Sequence, residues 1–156
     1  MSKRHIEIPD LRITNYLNTP NNVRVTPNVL GVELNVPEEF ADGTNPISIS
    51  RLTMEANSGF ERHVHPFNHV LTILEGSGFL TYDPGDGKDR VLEFGQGDVF
   101  NVPGTNEHAV SAGPDGITML SIGSPSMQLI DPERMVFVEE EHQWMVPEAL
   151  DPKFNV

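Results

Sequence analysis

Residues 63–69 read HVHPFNH, and the apolar alternation Val70-Leu71-Thr72-Ile73 follows at once. In an extended chain, side chains two apart share a face, so His63 and His65 can point to one side of a sheet and reach one ion. Pro66 cannot donate to a strand ladder and marks a strand end or bend. His69 then opens the next strand, and in a curved sheet its imidazole can turn back toward the same point. Three imidazoles can therefore converge without a long loop.

Outward from this stretch the apolar residues alternate with polar ones at period two. The pattern predicts strands at VLGVELNV from Val29, ISISRLTME from Ile47, HVLTILEG from His69, GFLTYD from Gly78, RVLEF from Arg90, DVFNV from Asp98, EHAVSA from Glu107 and ITMLSIG from Ile117. Gly76-Ser77-Gly78 predicts a tight hairpin, and Asp83-Pro84-Gly85-Asp86-Gly87 a second reversal. The 13 Gly and 13 Pro are spread along the chain, as in an all-β sandwich or barrel with no room for long amphipathic helices. We expect one domain in three parts: an N-terminal arm and edge strand over 1–44, a barrel core over 45–125, and a C-terminal segment over 126–156, including Trp144, that packs on the barrel. An arm of this kind covers a sheet edge or pairs with a second subunit, so a homodimer is expected.

Composition removes several function classes. With 10 basic against 23 acidic residues the net charge is −13, which opposes binding to nucleic acid or to an anionic membrane. The acidic run near Glu139, Glu140 and Glu141 reads as a solvated face. There is no cysteine, so disulfides, thiolate zinc sites and cysteine nucleophiles are excluded, and any metal must be held by nitrogen and oxygen. The N-terminus MSKRHIEIPD lacks an apolar secretory segment and no long apolar run follows, so the expected location is cytoplasmic.

Neutral imidazole is a ligand for zinc, iron, nickel and copper. The spacing of the histidines resembles the first motif of the cupin superfamily: glycine, five residues, HxH, three or four residues, glutamate, six residues, glycine. His63, His65, His69 and Gly76 match it from the first histidine onward. The second motif, glycine, five residues, PxG, two residues, histidine, three residues, asparagine, is matched by Gly97, Pro103 and His108. Three positions depart from the pattern: only three residues separate Gly59 from His63, the second-motif glycine is Gly104, and Ala112 stands at the asparagine position. A fourth departure is chemical, because His69 occupies the usual glutamate position.

The resemblance implies a cupin-type double-stranded β-helix, that is, a jelly-roll β-barrel, with one divalent metal ion (Fe, Ni, Zn or Mn) on His63, His65, His69 and His108. An imidazole in place of the carboxylate leaves the ion's charge uncompensated and favours an anionic or enolisable small-molecule substrate. Cupins include dioxygenases, isomerases, cyclases, lyases and non-catalytic binding proteins, and fold alone does not choose among them. All-histidine sites in the family include diketone-cleaving oxygenases, so dioxygenase-like chemistry is the first expectation, ahead of a non-redox isomerase, cyclase or lyase and of a small-molecule-binding cupin. Glu61, which shares the parity of His63 and His65, is the candidate catalytic base; Glu61, Glu75 or Glu107 could instead supply the missing carboxylate. Arg51, Asn68, Thr72, Tyr82 and Asn101 are candidates to line the pocket, and His5 and His142 read as surface residues.

Overall fold

The computed structural model describes residues 13–35, 47–129, 131, 133–139 and 148–149. His5, His142 and Trp144 lie outside them. The described chain is built from strands: β1 (Val23–Thr26), β2 (Val29–Glu33), β3 (Ser48–Met54), β4 (Gly59–Val64), β5 (Asn68–Tyr82), β6 (Arg90–Gly95), β7 (Val99–Val102), β8 (His108–Ser124), β9 (Val136–Phe137) and β10 (Glu148–Ala149). No helix among the described residues is long and apolar enough to cross a membrane.

Two strands are much longer than the alternation predicts, and they organise the barrel. The first half of β5 pairs with β7 and with the second half of β8, which also pairs with β3; the second half of β5 pairs with β6 and with the first half of β8, which also pairs with β4. One wall thus runs β10-β1-β2-β3-β8-β5-β7 and the other β9-β4-β8-β5-β6. Every pairing is antiparallel, and the two walls share β5 and β8 as bent corners.

The predicted hairpin at Gly76-Ser77-Gly78 is therefore not a reversal. The chain bends there and continues, with register shifts between Ile73 and Glu75 and between Gly76 and Gly78. Gly76 has φ 84° and Gly116, opposite it, φ 72°, conformations that L side chains avoid. A Cβ on Gly76 would lie 1.9 Å from the carbonyl oxygen of Gly116. Period-two patterning cannot tell a bent strand from two strands, and the predicted strands EHAVSA and ITMLSIG are likewise two halves of the single strand β8. The reversal at Asp83–Gly87 is present, with Asp83 Oδ1 accepting from the amides of Gly85 (2.8 Å) and Gly87 (3.1 Å).

The sheet reaches beyond the central segment at both ends. β1 and β2 extend the wall from β3, and Val23, Val25 and Val29 join the core with Leu52, Met54, Ile73, Met119, Leu129 and Phe137. Burying these branched and aromatic side chains between the walls is the main stabilising term.

Candidate metal centre

Four histidines meet inside the barrel because three chain segments end at the same level. His63 is near the end of β4 and pairs in register with His108 at the start of β8, which puts both rings on one face. His65 follows just after β4, and Pro66 separates it from β5, which starts at Asn68. His69 sits in a cross-strand row with Gly123 and Val102. Gly104 makes the closure possible: a Cβ there would come within 1.8 Å of the Phe67 carbonyl oxygen, whereas the glycine lets its own carbonyl accept from His65 N at 2.8 Å.

All four rings are buried, at 1% (His63), 6% (His65), 6% (His69) and 1% (His108) exposure. Three donate through Nδ1 to main-chain carbonyls: His63 to Glu61 (2.5 Å), His65 to Arg134 (2.8 Å) and His108 to Asn106 (2.8 Å). His69 Nδ1 lies 3.5 Å from Ser121 Oγ. A carbonyl can only accept, so it fixes the proton on Nδ1 and leaves the Nε2 lone pair turned the other way. Burial pushes every one of these imidazoles down, His69 to about 3, with repulsion among the rings adding to the effect for His63, His65 and His69. The four are therefore neutral at ordinary pH, as ligands must be.

Donor nitrogens of His63, His65 and His108 all lie within 4.8 Å of one another, the spacing of a set that one ion can bridge. His69 stands beside this set rather than in it, its ring centroid 4.6 Å from that of His65 and 5.3 Å from that of His108. Nε2 of His69 and of His108 are buried with no hydrogen-bond partner. Two buried ring nitrogens without a protein partner fit a ligand set for one cation. The chamber they face is about 20 Å³, room for a body the size of one water or one ion, and is lined also by Leu52, Leu71, Met119, Ser121 and Arg134.

The carboxylate candidates fall elsewhere. A register shift between Phe60 and His63 breaks the parity that linked Glu61 to the histidines. Its side chain is exposed, and what it gives the site is its backbone carbonyl. Glu75 is exposed on β5, and Glu107 pairs with Arg62 at 3.1 Å on the surface. None of the five polar candidates lines the chamber. Thr72 and Asn101 have the parity opposite to His69 and Val102. Arg51 has the parity opposite to Ser50 and is held by the carbonyl of Tyr16 and by Asn21 Oδ1 at 2.8 Å. Asn68 accepts from Gly104 N at 3.1 Å, and Tyr82 packs against the core.

A larger cleft of about 510 Å³ is bordered by His69, Val102 and Gly123 as well as by Ile47, Val70 and Ile122, and two of the polar candidates, Asn68 and Asn101, line it. Its row Asn101-Val70-Ile122 faces away from the row Val102-His69-Gly123.

Arg134 is the site residue that sequence reasoning missed. It lies in the loop before β9, past both motifs, and is 3% exposed. Nothing in Asp131-Pro132-Glu133-Arg134 marks an interior side chain.

Residues 50–123 match the protein family described as "Cupin domain". The barrel is a cupin domain. Among solved structures, this cupin superimposes on oxalate decarboxylase from Bacillus subtilis with TM-score 0.65 at 15% identity, over 85% of this chain and 34% of that one. Oxalate decarboxylase from Lactobacillus farciminis, in a formate complex, gives TM-score 0.64 at 14% identity, over 82% and 37%. KdgF from Halomonas sp. gives 0.58 at 14% identity, over 74% of this chain and 96% of that one. This chain thus spans about a third of the decarboxylases, and likeness at this identity concerns the fold. Comparison with curated proteins gave no significant sequence match.

Proposed function

We propose that this cupin is a metal-dependent enzyme acting on a small anionic or enolisable oxygenated molecule, with dioxygenase-like chemistry. The observation that carries the reading is the neutral set His63, His65, His69 and His108, its Nδ1 atoms tied back, around a chamber with no carboxylate among its described lining residues. His63, His65 and His108 would hold the ion and His69 would complete the set. A divalent ion of iron, nickel, zinc or manganese bound there would polarise the substrate's oxygen atoms and, if redox-active, open a route for electron transfer to oxygen.

The chain's own residues bind, orient and exclude water. Leu52, Leu71, Val110 and Met119 dry the chamber and strengthen every electrostatic contact inside it. Carbonyls of Glu61, Asn106 and Arg134 keep the imidazoles aimed. Because the carboxyl of Glu61 faces out, a proton-moving isomerase or lyase would lack the base assigned to it, whereas oxygen-dependent cleavage of a substrate that arrives as its anion needs none. That contrast favours the oxidative reading.

Elemental analysis combined with oxygen-uptake measurements on diketones, flavonols and related enolisable compounds tests it. Iron, nickel or manganese with substrate-dependent oxygen uptake supports the proposal; zinc with no uptake overturns the oxidative part in favour of non-redox chemistry. We further propose a cytoplasmic homodimer, for which the larger apolar cleft at Ile47, Val70 and Ile122 is the supporting feature. A monomer mass by light scattering would refute the dimer.

A further inference from the structure

A buried arginine faces a chamber whose other polar groups are neutral. Arg134 is 3% exposed, and its two hydrogen bonds go to uncharged acceptors, the carbonyl of Met127 and, at 3.4 Å, Ser50 Oγ. Its guanidinium carbon sits 5.1 Å above the Phe67 ring. Among the described residues no carboxylate lies within the 4.0 Å of an ion pair, and Glu33 and Asp131 act on it only at longer range. A buried cation without an anion beside it is costly, and a protein that keeps one in a cavity has a use for the charge.

We infer that Arg134 is the anion-recognition residue of the chamber, anchoring the carboxylate or enolate of a compact anionic substrate beside the histidines. A guanidinium presents a planar fork of donors that matches two oxygens of one carboxylate, and those not used by Met127 and Ser50 remain for it. Arg134 lines the same chamber as His63, His65, His69 and His108, so an anion held by it would lie within that ring of imidazoles. The wall beside the arginine is made of small polar side chains: Ser50 and Ser121 face each other across β3 and β8 at 0% and 2% exposure. At about 20 Å³ the chamber holds one small body, so a compact anionic head beside a bound ion requires the lining side chains to move apart, with any larger part of the molecule outside. One residue thus serves two ends, since the carbonyl of Arg134 aims His65 while its side chain would fix the substrate's charge.

This inference rests on the proposed enzyme only for the word substrate; the anion site can be tested without metal or turnover. Thermal unfolding of the full-length, metal-stripped protein is titrated with formate, with formamide as the neutral isostere and chloride at matched ionic strength. Formate-specific stabilisation is expected in the wild type, with formate affinity lowered roughly tenfold or more in Arg134→Met and partly restored in Arg134→Lys. Equal formate binding by Arg134→Met and the wild type would overturn the assignment. If Arg134→Met does not fold, the wild type decides alone, and stabilisation by formate no greater than by formamide and chloride refutes the anion site. Elemental analysis of metal-loaded wild type and Arg134→Met reads the metal proposal separately. Metal bound without formate binding defeats only Arg134, and formate binding without metal defeats only the enzyme.

Discussion

Lowering the pH of metal-stripped protein should destabilise it above the range where carboxylates titrate. Burial holds His69 at about 3 in the folded barrel, against 6.5 for an exposed imidazole. Between those values the unfolded chain binds a proton that the folded one refuses, so stability is intact above about pH 6.5 and falls as the pH drops, until His69 itself protonates near 3. Integrating the difference in bound protons from pH 7 to pH 5 gives a loss of about 2 kcal/mol from His69 alone. His63, His65 and His108 shift in the same direction, so their losses add. Glu33, whose carboxyl burial pushes up, works the other way, one group against four. Urea unfolding followed by circular dichroism at half-unit steps from pH 7 to pH 5 measures the net loss. A wild-type stability flat across that window would refute the burial of the four neutral rings. His69→Leu should reduce the slope by about one proton's worth, roughly 1.4 kcal/mol per pH unit.

Gly76→Ala should lower stability by about 2 to 4 kcal/mol, measured as a urea midpoint, because its Cβ would overlap the carbonyl of Gly116 at a positive φ. Glu61→Gln should leave metal affinity within about twofold by competition with a chelator, since the backbone carbonyl rather than the side chain aims His63. Gly104→Val should cost His65 its hold on the ion, seen as metal loss at a chelator concentration the wild type tolerates, because the side chain would push into the Phe67 and His65 carbonyls.

The barrel and three of its histidines were legible because both rest on local rules. Alternation marked the strands and the spacing within residues 63–69 turned His63, His65 and His69 to one face, whereas His108 joined them only through the resemblance to the cupin motifs. What local rules cannot carry is continuity and curvature. Gly76-Ser77-Gly78 has the composition of a hairpin, yet the close approach of Gly76 to the Gly116 carbonyl, beside its ladder partner Ile117, makes it a bend within β5, and those residues are about 40 positions away in sequence. One register shift ahead of His63 was enough to send the Glu61 side chain outward. Arg51, predicted to line the pocket, lies on the opposite face for want of a fixed parity. Arg134 reaches the interior through a loop that follows the barrel, a tertiary fact with no periodic trace in the sequence. These are long-range geometric effects, and each changes which polar group meets the chamber.

The central claim is that His63, His65, His69 and His108 hold one divalent ion in this cupin, and metal stoichiometry tests it most directly. Elemental analysis of the purified, metal-loaded protein should give one ion per chain, with most of it lost in His65→Ala while the barrel remains folded by circular dichroism. Full metal occupancy in folded His65→Ala, or a wild type that retains no stoichiometric metal, would contradict the account.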